Sequence, residues 1–266
     1  MTDAGVAVWQ MAPTIGDVPG NLARLADAAQ RARERGATIL VTPELALTGY
    51  DIGSIDDSLA DPGITARVAT VAAAQGIAVV AGVALRDDRG TWNASLLIDS
   101  GGEIRATYRK AHLFGRIDRS RFTPGPASTE VADLDGVRVG SVVCYDIEFP
   151  EPARTAALAG AQVLAVPTAN MEPWTFINEH IIPVRAFENG LHVAYANHIG
   201  RERRTTYLGR SVIAAPDGRC VRAGADDEEI LVMPLDLEAQ AAQRAAAPYL
   251  TDRRPELYGA LTREAR

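Results

Sequence analysis

Cys144 closes the apolar run Val142-Val143, and Tyr145-Asp146-Ile147-Glu148-Phe149-Pro150-Glu151 follows it at once, leading into an alanine-rich segment. That order reads as a buried strand turning sharply into a helix, with a thiol at the corner. A corner thiol faces substrate and lies near the free N–H groups of a helix start, where a thiolate and an incipient oxyanion are favoured. The same geometry activates serine in the strand–elbow–helix motif of hydrolases. The plain alternative is a buried cysteine that serves as a small hydrophobe.

Two other residues bear on that choice. Glu44 directly follows the apolar stretch 38–42, in Thr42-Pro43-Glu44-Leu45. A carboxylate at the C-terminal end of a buried strand lies where open α/β sheets place ligands. Taken alone it is equally readable as a helix cap or a loop acid. Lys110 follows the strand-like stretch 104–108, and a single lysine there is ordinarily a surface cation. Jointly the three make a coherent machine. The carboxylate takes the thiol proton and later passes it to a leaving amine. The ammonium favours the thiolate and the oxyanion, and the N–H of Tyr145 completes an oxyanion hole. This is covalent acyl transfer that needs neither metal nor organic cofactor. Asp118 is a further candidate, although Arg116, Arg119 and Arg121 around it offer an ordinary surface ion pair. His112 could pair with Cys144, but no third group is marked to orient its ring, and a structural role is the simpler reading.

The elements that must position these residues alternate along the chain. Strands are expected at 6–11, 38–42 and 77–83, with helices over 21–35 and 64–75 between them. Stretches 92–98 and 104–108 flank Asp99-Ser100-Gly101-Gly102 as a hairpin. A second series follows: a strand at 137–144, a helix at 152–159, a strand at 163–167, a helix at 176–189 that must accommodate Pro183, and a strand at 193–197. Stretches 211–215 and 230–235 read as a late strand pair, and 237–245 as a final helix. The loose recurrence of one order hints at an internal pseudo-repeat. With no linker or low-complexity segment, the expectation is a single α/β domain over 1–266, with helices covering mixed sheets.

Composition narrows the function. The 266 residues carry a net charge of −7 and no long basic run, which argues against a nucleic-acid partner. No stretch offers the ~20 consecutive apolar residues of a membrane span. The N-terminus lacks the basic and apolar regions of a secretory signal, and Cys144 and Cys220 form no disulfide framework, so a reduced, cytoplasmic protein is expected. His112, His180, His192 and His198 show no metal-ligand spacing.

Pro43-Glu44, Tyr108-Arg109-Lys110-Ala111-His112-Leu113 and the block 144–151 resemble the signature blocks of the nitrilase superfamily of carbon–nitrogen hydrolases. Trp92-Asn93, Phe122-Thr123-Pro124-Gly125, Pro167-Thr168-Ala169-Asn170 and Arg185-Ala186-Phe187-Glu188-Asn189 match further blocks in order, so the resemblance covers nearly the whole chain. It implies a four-layer αββα sandwich, with Glu44 as general base, Lys110 as oxyanion stabiliser and Cys144 as nucleophile. It also implies a homodimer or larger homo-oligomer. Asp118 stands where many members carry a second, assisting glutamate. Among branches, the motifs look most like bacterial aliphatic amidases acting on 5-aminopentanamide. That resemblance implies a small linear amide substrate, with Glu148, Asn170, Glu172 and Trp174 lining its pocket; Trp174-Thr175 departs from the Tyr-Asp often found there. Nitrile, carbamoyl and deaminated-dipeptide amide substrates are the alternatives within the family, and a non-catalytic binding protein that keeps the fold is the alternative outside it.

Overall fold

The computed structural model describes residues 4–53, 60, 63–126 and 129–262; the two ends of the expected 1–266 domain lie outside them. Two six-stranded sheets stack face to face. The first contains β1 (Gly5–Gln10), β2 (Ile39–Val41), β3 (Ala78–Asp87), β4 (Gly90–Ile98) and β5 (Ile104–Arg109). The second contains β6 (Val131–Leu134), β7 (Val137–Ser141), β8 (Val163–Pro167) and β9 (His192–Ala196). A small separate hairpin, β10 (Arg201–Glu202) and β11 (Thr205–Thr206), precedes β12 (Val212–Ala214) and β13 (Cys220–Arg222), which complete the second sheet. β14 (Glu229–Pro234) returns to the edge of the first.

The pseudo-repeat hinted at in the sequence is explicit in the topology. β1, β2 and β3 run parallel, then β4 and β5 fold back antiparallel. β7, β8 and β9 likewise run parallel, followed by antiparallel β12 and β13. Helices α1 (Val18–Glu34) and α2 (Gly63–Gln75) make the crossovers of the first unit. The short α3 (Gly115–Arg119) follows β5. Helices α4 (Pro150–Leu158) and α5 (Ile182–Asn189) make the crossovers of the second unit, and α6 (Leu237–Ala246) follows β14.

Side-chain alternation makes the layers. Strand residues point to opposite faces with period 2. In the first sheet Val6, Val8, Ile39, Val41, Ala78 and Val80 meet Val163, Ala165, Ala194 and Ala196 of the second in an apolar centre. Their sequence neighbours Ala7, Trp9, Leu40, Val79 and Ala81 pack outward on Leu25, Ala29 and Ala32 of α1 and Val68 and Ala72 of α2. Leu164, Val166, Val193 and Tyr195 pack outward on Ala153 and Ala156 of α4 and on Ile182 and Ala186 of α5. The result is the four-layer αββα sandwich. The central strands are buried on both faces, which is why they read as continuous apolar runs.

Three differences from the sequence reading have local causes. Stretch 230–235 does not pair with 211–215. The turn Pro216-Asp217-Gly218 returns β12 onto β13, while β14 pairs antiparallel with β1. Both faces of β14 are apolar: Leu231 and Met233 join the inter-sheet core and Ile230 the outer one, so it covers a sheet edge. The strand expected at 137–144 ends at Ser141, because Asp146 already gathers the chain into a turn, and the hairpin partner β6 lies before it. Stretch 176–189 is not one α-helix. A π-helical turn (Ile177–Ile181) hands over to α5, placing Pro183 in the first turn, where its missing N–H costs nothing. Among the described residues, no helix is long and apolar enough to cross a membrane.

Candidate active site

Strands of both sheets deliver the chemistry at their C-terminal ends, the place where α/β sheets form ligand crevices. Glu44 follows β2, Lys110 follows β5 and Cys144 follows β7. Thr168 to Asn170 follow β8, and Asn197 and His198 follow β9.

The Glu44 turn is pinned across the sheets. Its N–H donates to the carbonyl of Thr168 at 3.2 Å, and its carbonyl accepts from His198 Nε2 at 2.6 Å. Leu45 beside it holds φ +53°, a left-handed conformation that the surrounding packing must maintain. Gly82 on β3 is required here, since a Cβ would lie 2.3 Å from the carbonyl oxygen of Pro43. Gly125 does the same for Lys110. It donates to the Lys110 carbonyl at 2.8 Å, and a Cβ on it would lie 2.2 Å from the carbonyl oxygen of Arg109.

The side chains form a buried charge cluster. Lys110 Nζ lies 2.7 Å from Glu44 Oε1 and 2.6 Å from Asp118 Oδ2, and all three side chains are fully buried. Asn93 Nδ2 donates to the same Glu44 oxygen at 2.6 Å. Glu44 Oε2 is left without a partner among the described residues. Burial pushes the Glu44 carboxyl up, with the charge of Lys110 opposing and that of Asp118 adding. Burial pushes Lys110 down, but Glu44 and Asp118 outweigh it and hold the ammonium charged.

Cys144 opens a 3₁₀ turn (Cys144–Glu148) with φ +49°, the strained elbow expected of a thiol at a strand-to-helix corner. Asp146 braces the elbow. Its carboxylate accepts from the N–H of Val143 at 3.1 Å, from Tyr108 Oη at 3.0 Å, and from the N–H of His112 at 2.8 Å. His112 Nδ1 is 2.7 Å from Asp146 and its ring stacks on Phe149, so the imidazole serves the elbow rather than the thiol. Arg185 of α5 holds the far end of the turn, donating to the carbonyls of Ile147 at 3.0 Å and Glu148 at 2.8 Å. The N–H of Tyr145 precedes the turn's first internal bond, from Asp146 to Val143, and has no hydrogen-bond partner among the described residues. The expectation of a favoured thiolate needs correction for this site. Burial, and then the negative charge of Glu44, push the thiol well up, and Lys110 and the N–H of Ala169 only partly offset them. The Cys144 sulfur thus rests as a thiol, within electrostatic reach of Glu44.

The remaining candidates separate. Asp118 is not a surface ion pair. It is fully buried, accepting from Tyr50 Oη at 2.9 Å and from the N–H of Phe114 at 2.9 Å as well as from Lys110. Glu148 ends the turn that Cys144 begins. It is half-buried, and its carboxyl makes no hydrogen bond among the described residues. Burial pushes that carboxyl up to about 7, against the pull of Lys110. Asn170 spends its amide inside its own loop, donating to Asn178 Oδ1 at 2.6 Å and the Trp174 carbonyl at 3.1 Å and accepting from the N–H of Met171 at 3.0 Å. Glu172 is exposed, in a surface hollow of about 400 Å³ with Tyr207, Arg210 and Asp226, and Trp174 is half exposed beside it. The carboxylate partner Asn93 appears in the sequence only as part of a matched block; its place at mid-β4, facing the end of β2, is what reveals its part.

The family described as carbon–nitrogen hydrolase matches residues 5–245. A hydrolase in the pqqF 5′ region of Pseudomonas protegens is 44% identical over 97% of this chain and 92% of its own length. An (R)-stereoselective amidase of a Pseudomonas species is 37% identical over 97% of this chain and 94% of its own. A cysteine-to-alanine mutant of the amidase from Nesterenkonia sp. AN1, in complex with butyramide, superposes with a TM-score of 0.85 at 34% identity, covering 96% of each chain.

Proposed function

This chain belongs to the carbon–nitrogen hydrolase family and acts on carbon–nitrogen bonds, and from that premise we propose that its substrate is a small linear amide, cleaved to a carboxylate and ammonia through a thioester on Cys144. The observation that carries the reading is the division of labour on Glu44. Lys110 and Asn93 hold Oε1, while Oε2 is buried and unpartnered. A buried carboxylate with one oxygen fixed and one free, next to a protonated thiol, is a general base awaiting its proton.

The steps follow from that arrangement. Sγ of Cys144 attacks the amide carbonyl as Glu44 Oε2 takes the thiol proton. The Lys110 ammonium and the N–H of Tyr145 stabilise the oxyanion. Glu44 returns the proton to the departing nitrogen, which leaves as ammonia. Water, deprotonated by Glu44, then attacks the thioester carbonyl; the C–S bond breaks, the acid is released as its carboxylate, and Glu44 returns the proton to Sγ, restoring the thiol. Glu148 supports an ω-amino amide as the preferred substrate, since an unpaired half-buried carboxyl one turn from the nucleophile suits a substrate ammonium. Assembly follows the same reading: a second copy of the chain covers the exposed apolar side chains of α4 and α5, Leu158, Val184 and Phe187. Light scattering that finds only monomer at micromolar concentration contradicts that assembly.

The discriminating experiment is product analysis over a panel of neutral and ω-ammonium amides, the corresponding nitriles and N-carbamoyl amines. Ammonia release from the amides, without carbon dioxide, is expected. Faster turnover of nitriles, or carbon dioxide released with ammonia from the carbamoyl compounds as the best substrates, overturns the assignment.

A further inference from the structure

Asp118 reaches Lys110 from a loop, yet its position is not set by its own loop alone. Tyr50 Oη donates to Asp118 Oδ1 at 2.9 Å, and Tyr50 is itself buried on a chain segment 68 residues away. What holds Tyr50 is Glu202. This residue lies on β10 and is only 4% exposed. Its Oε2 accepts from the N–H of Tyr50 at 2.9 Å and the N–H of Asp51 at 2.7 Å, and from Tyr207 Oη. Two successive backbone N–H groups converging on one carboxylate oxygen form an anion-holding nest. Gly49, at φ +88°, makes room for it, because a Cβ there would lie 2.9 Å from Glu202 Oε1. The contact is reciprocal: Asp51 Oδ2 accepts from Thr205 Oγ1 on β11 at 2.9 Å. The Tyr207 ring also packs on His198 at 4.9 Å between centroids, and His198 holds the Glu44 carbonyl.

The small hairpin therefore braces both carboxylates that flank Lys110. We propose that Glu202 is a positioning residue for the reaction: through Tyr50 it fixes Asp118, and through Asp118 it fixes the direction of the Lys110 ammonium. A buried carboxylate is costly unless its acceptors are used. Here three donors converge on Oε2, while Oε1 has no partner among the described residues, and the line of contacts it anchors ends at the oxyanion stabiliser. Misplacing a catalytic group by about 1 Å can cost roughly a hundredfold in rate.

The inference rests on the proposed role of Lys110, and the experiment separates the two. Steady-state kinetics are measured on the amide that gives the fastest ammonia release, for Glu202→Ala, Tyr50→Phe, Asp118→Asn and the doubles carrying Asp118→Asn. Glu202→Ala and Tyr50→Phe are expected to lower kcat about 10- to 100-fold with KM within about threefold. In the Asp118→Asn background each is expected to cost less than about threefold further, because the line to Lys110 is already cut. Glu202→Gln keeps an acceptor oxygen for the two N–H groups and recovers most of the activity. Should Glu202→Ala fail to fold, Tyr50→Phe, which removes a single hydroxyl, and Glu202→Gln carry the test. Full kcat in Tyr50→Phe, or losses that multiply with that of Asp118→Asn, overturns the proposal. If Lys110→Met keeps wild-type turnover, it is the reading of Lys110 that fails.

Discussion

Replacing Lys110 by methionine tests the charge cluster at its centre. A lone lysine after a strand is ordinarily a surface cation, whose removal spares the fold. The structure says otherwise, because Nζ bridges Glu44 and Asp118 at 2.7 and 2.6 Å with every side chain fully buried. Without it, two carboxylates face each other out of water. Removing one partner of a buried ion pair costs about 3–5 kcal/mol. For a chain of this length, about 2–4 °C of melting temperature follows each kcal/mol, so a fall of about 6–20 °C is expected at pH 8. The pH dependence supplies the sign. Burial already pushes Glu44 up, and Lys110 is the main group opposing it. In the variant, the folded Glu44 carboxyl therefore binds a proton that the unfolded chain releases. A folded pKa raised above the unfolded one gives stability that grows as pH falls through the folded value, so the deficit against wild type narrows from pH 8 to pH 5. Urea unfolding of both proteins at fixed concentration across that range reads it, and adding Asp118→Asn to the variant should recover about half the loss at pH 8. Equal midpoints at pH 8, or a deficit that stays constant to pH 5, refutes the reasoning.

Asn93→Ala removes the 2.6 Å donor that fixes Glu44 Oε1; a hydrogen bond to a charged group of about 1.5–3 kcal/mol corresponds to a kcat about 10- to 100-fold lower, and unchanged kcat contradicts it. For Glu148, the selectivity for ω-ammonium over neutral amides should rise with pH through about 7 as the carboxyl ionises, and Glu148→Gln should abolish both the selectivity and its pH dependence. His192, buried in β9, is pushed down by desolvation from 6.5 to about 4. The unfolded chain thus binds a proton that the folded chain refuses, and stability falls by about 3 kcal/mol as pH drops from about 6.5 to about 4. His192→Leu removes that slope, as chemical denaturation at the two pH values would reveal.

Much of the site is legible in residue order because strand ends are. Glu44 and Cys144 each follow an apolar run and Lys110 a strand-like one, and a strand that stops at a polar residue places it at the strand's end. What residue order could not convey is what closes around each side chain. Asp118 among three arginines reads as a surface ion pair, until Tyr50, from 68 residues away, helps hold it buried against Lys110. Cys144 at a corner reads as a favoured thiolate, until burial and Glu44 push the thiol the other way. β14 reads as the neighbour of the strand before it. Two apolar faces fit either sheet, and only the vacant edge beside β1 decides. Glu202 carries no local mark of its part, since the two backbone N–H groups that hold it belong to Tyr50 and Asp51, 152 and 151 residues earlier.

The central claim is that Cys144 is the nucleophile and Glu44 Oε2 its base. Ammonia release by Cys144→Ala, on the amide best used by wild type, tests it most directly. The substitution removes a single sulfur atom and leaves no buried charge unpaired, so a melting temperature within about 3 °C of wild type is expected, with turnover at least about 10³-fold lower. A folded Cys144→Ala variant that releases ammonia within tenfold of the wild-type rate contradicts the account.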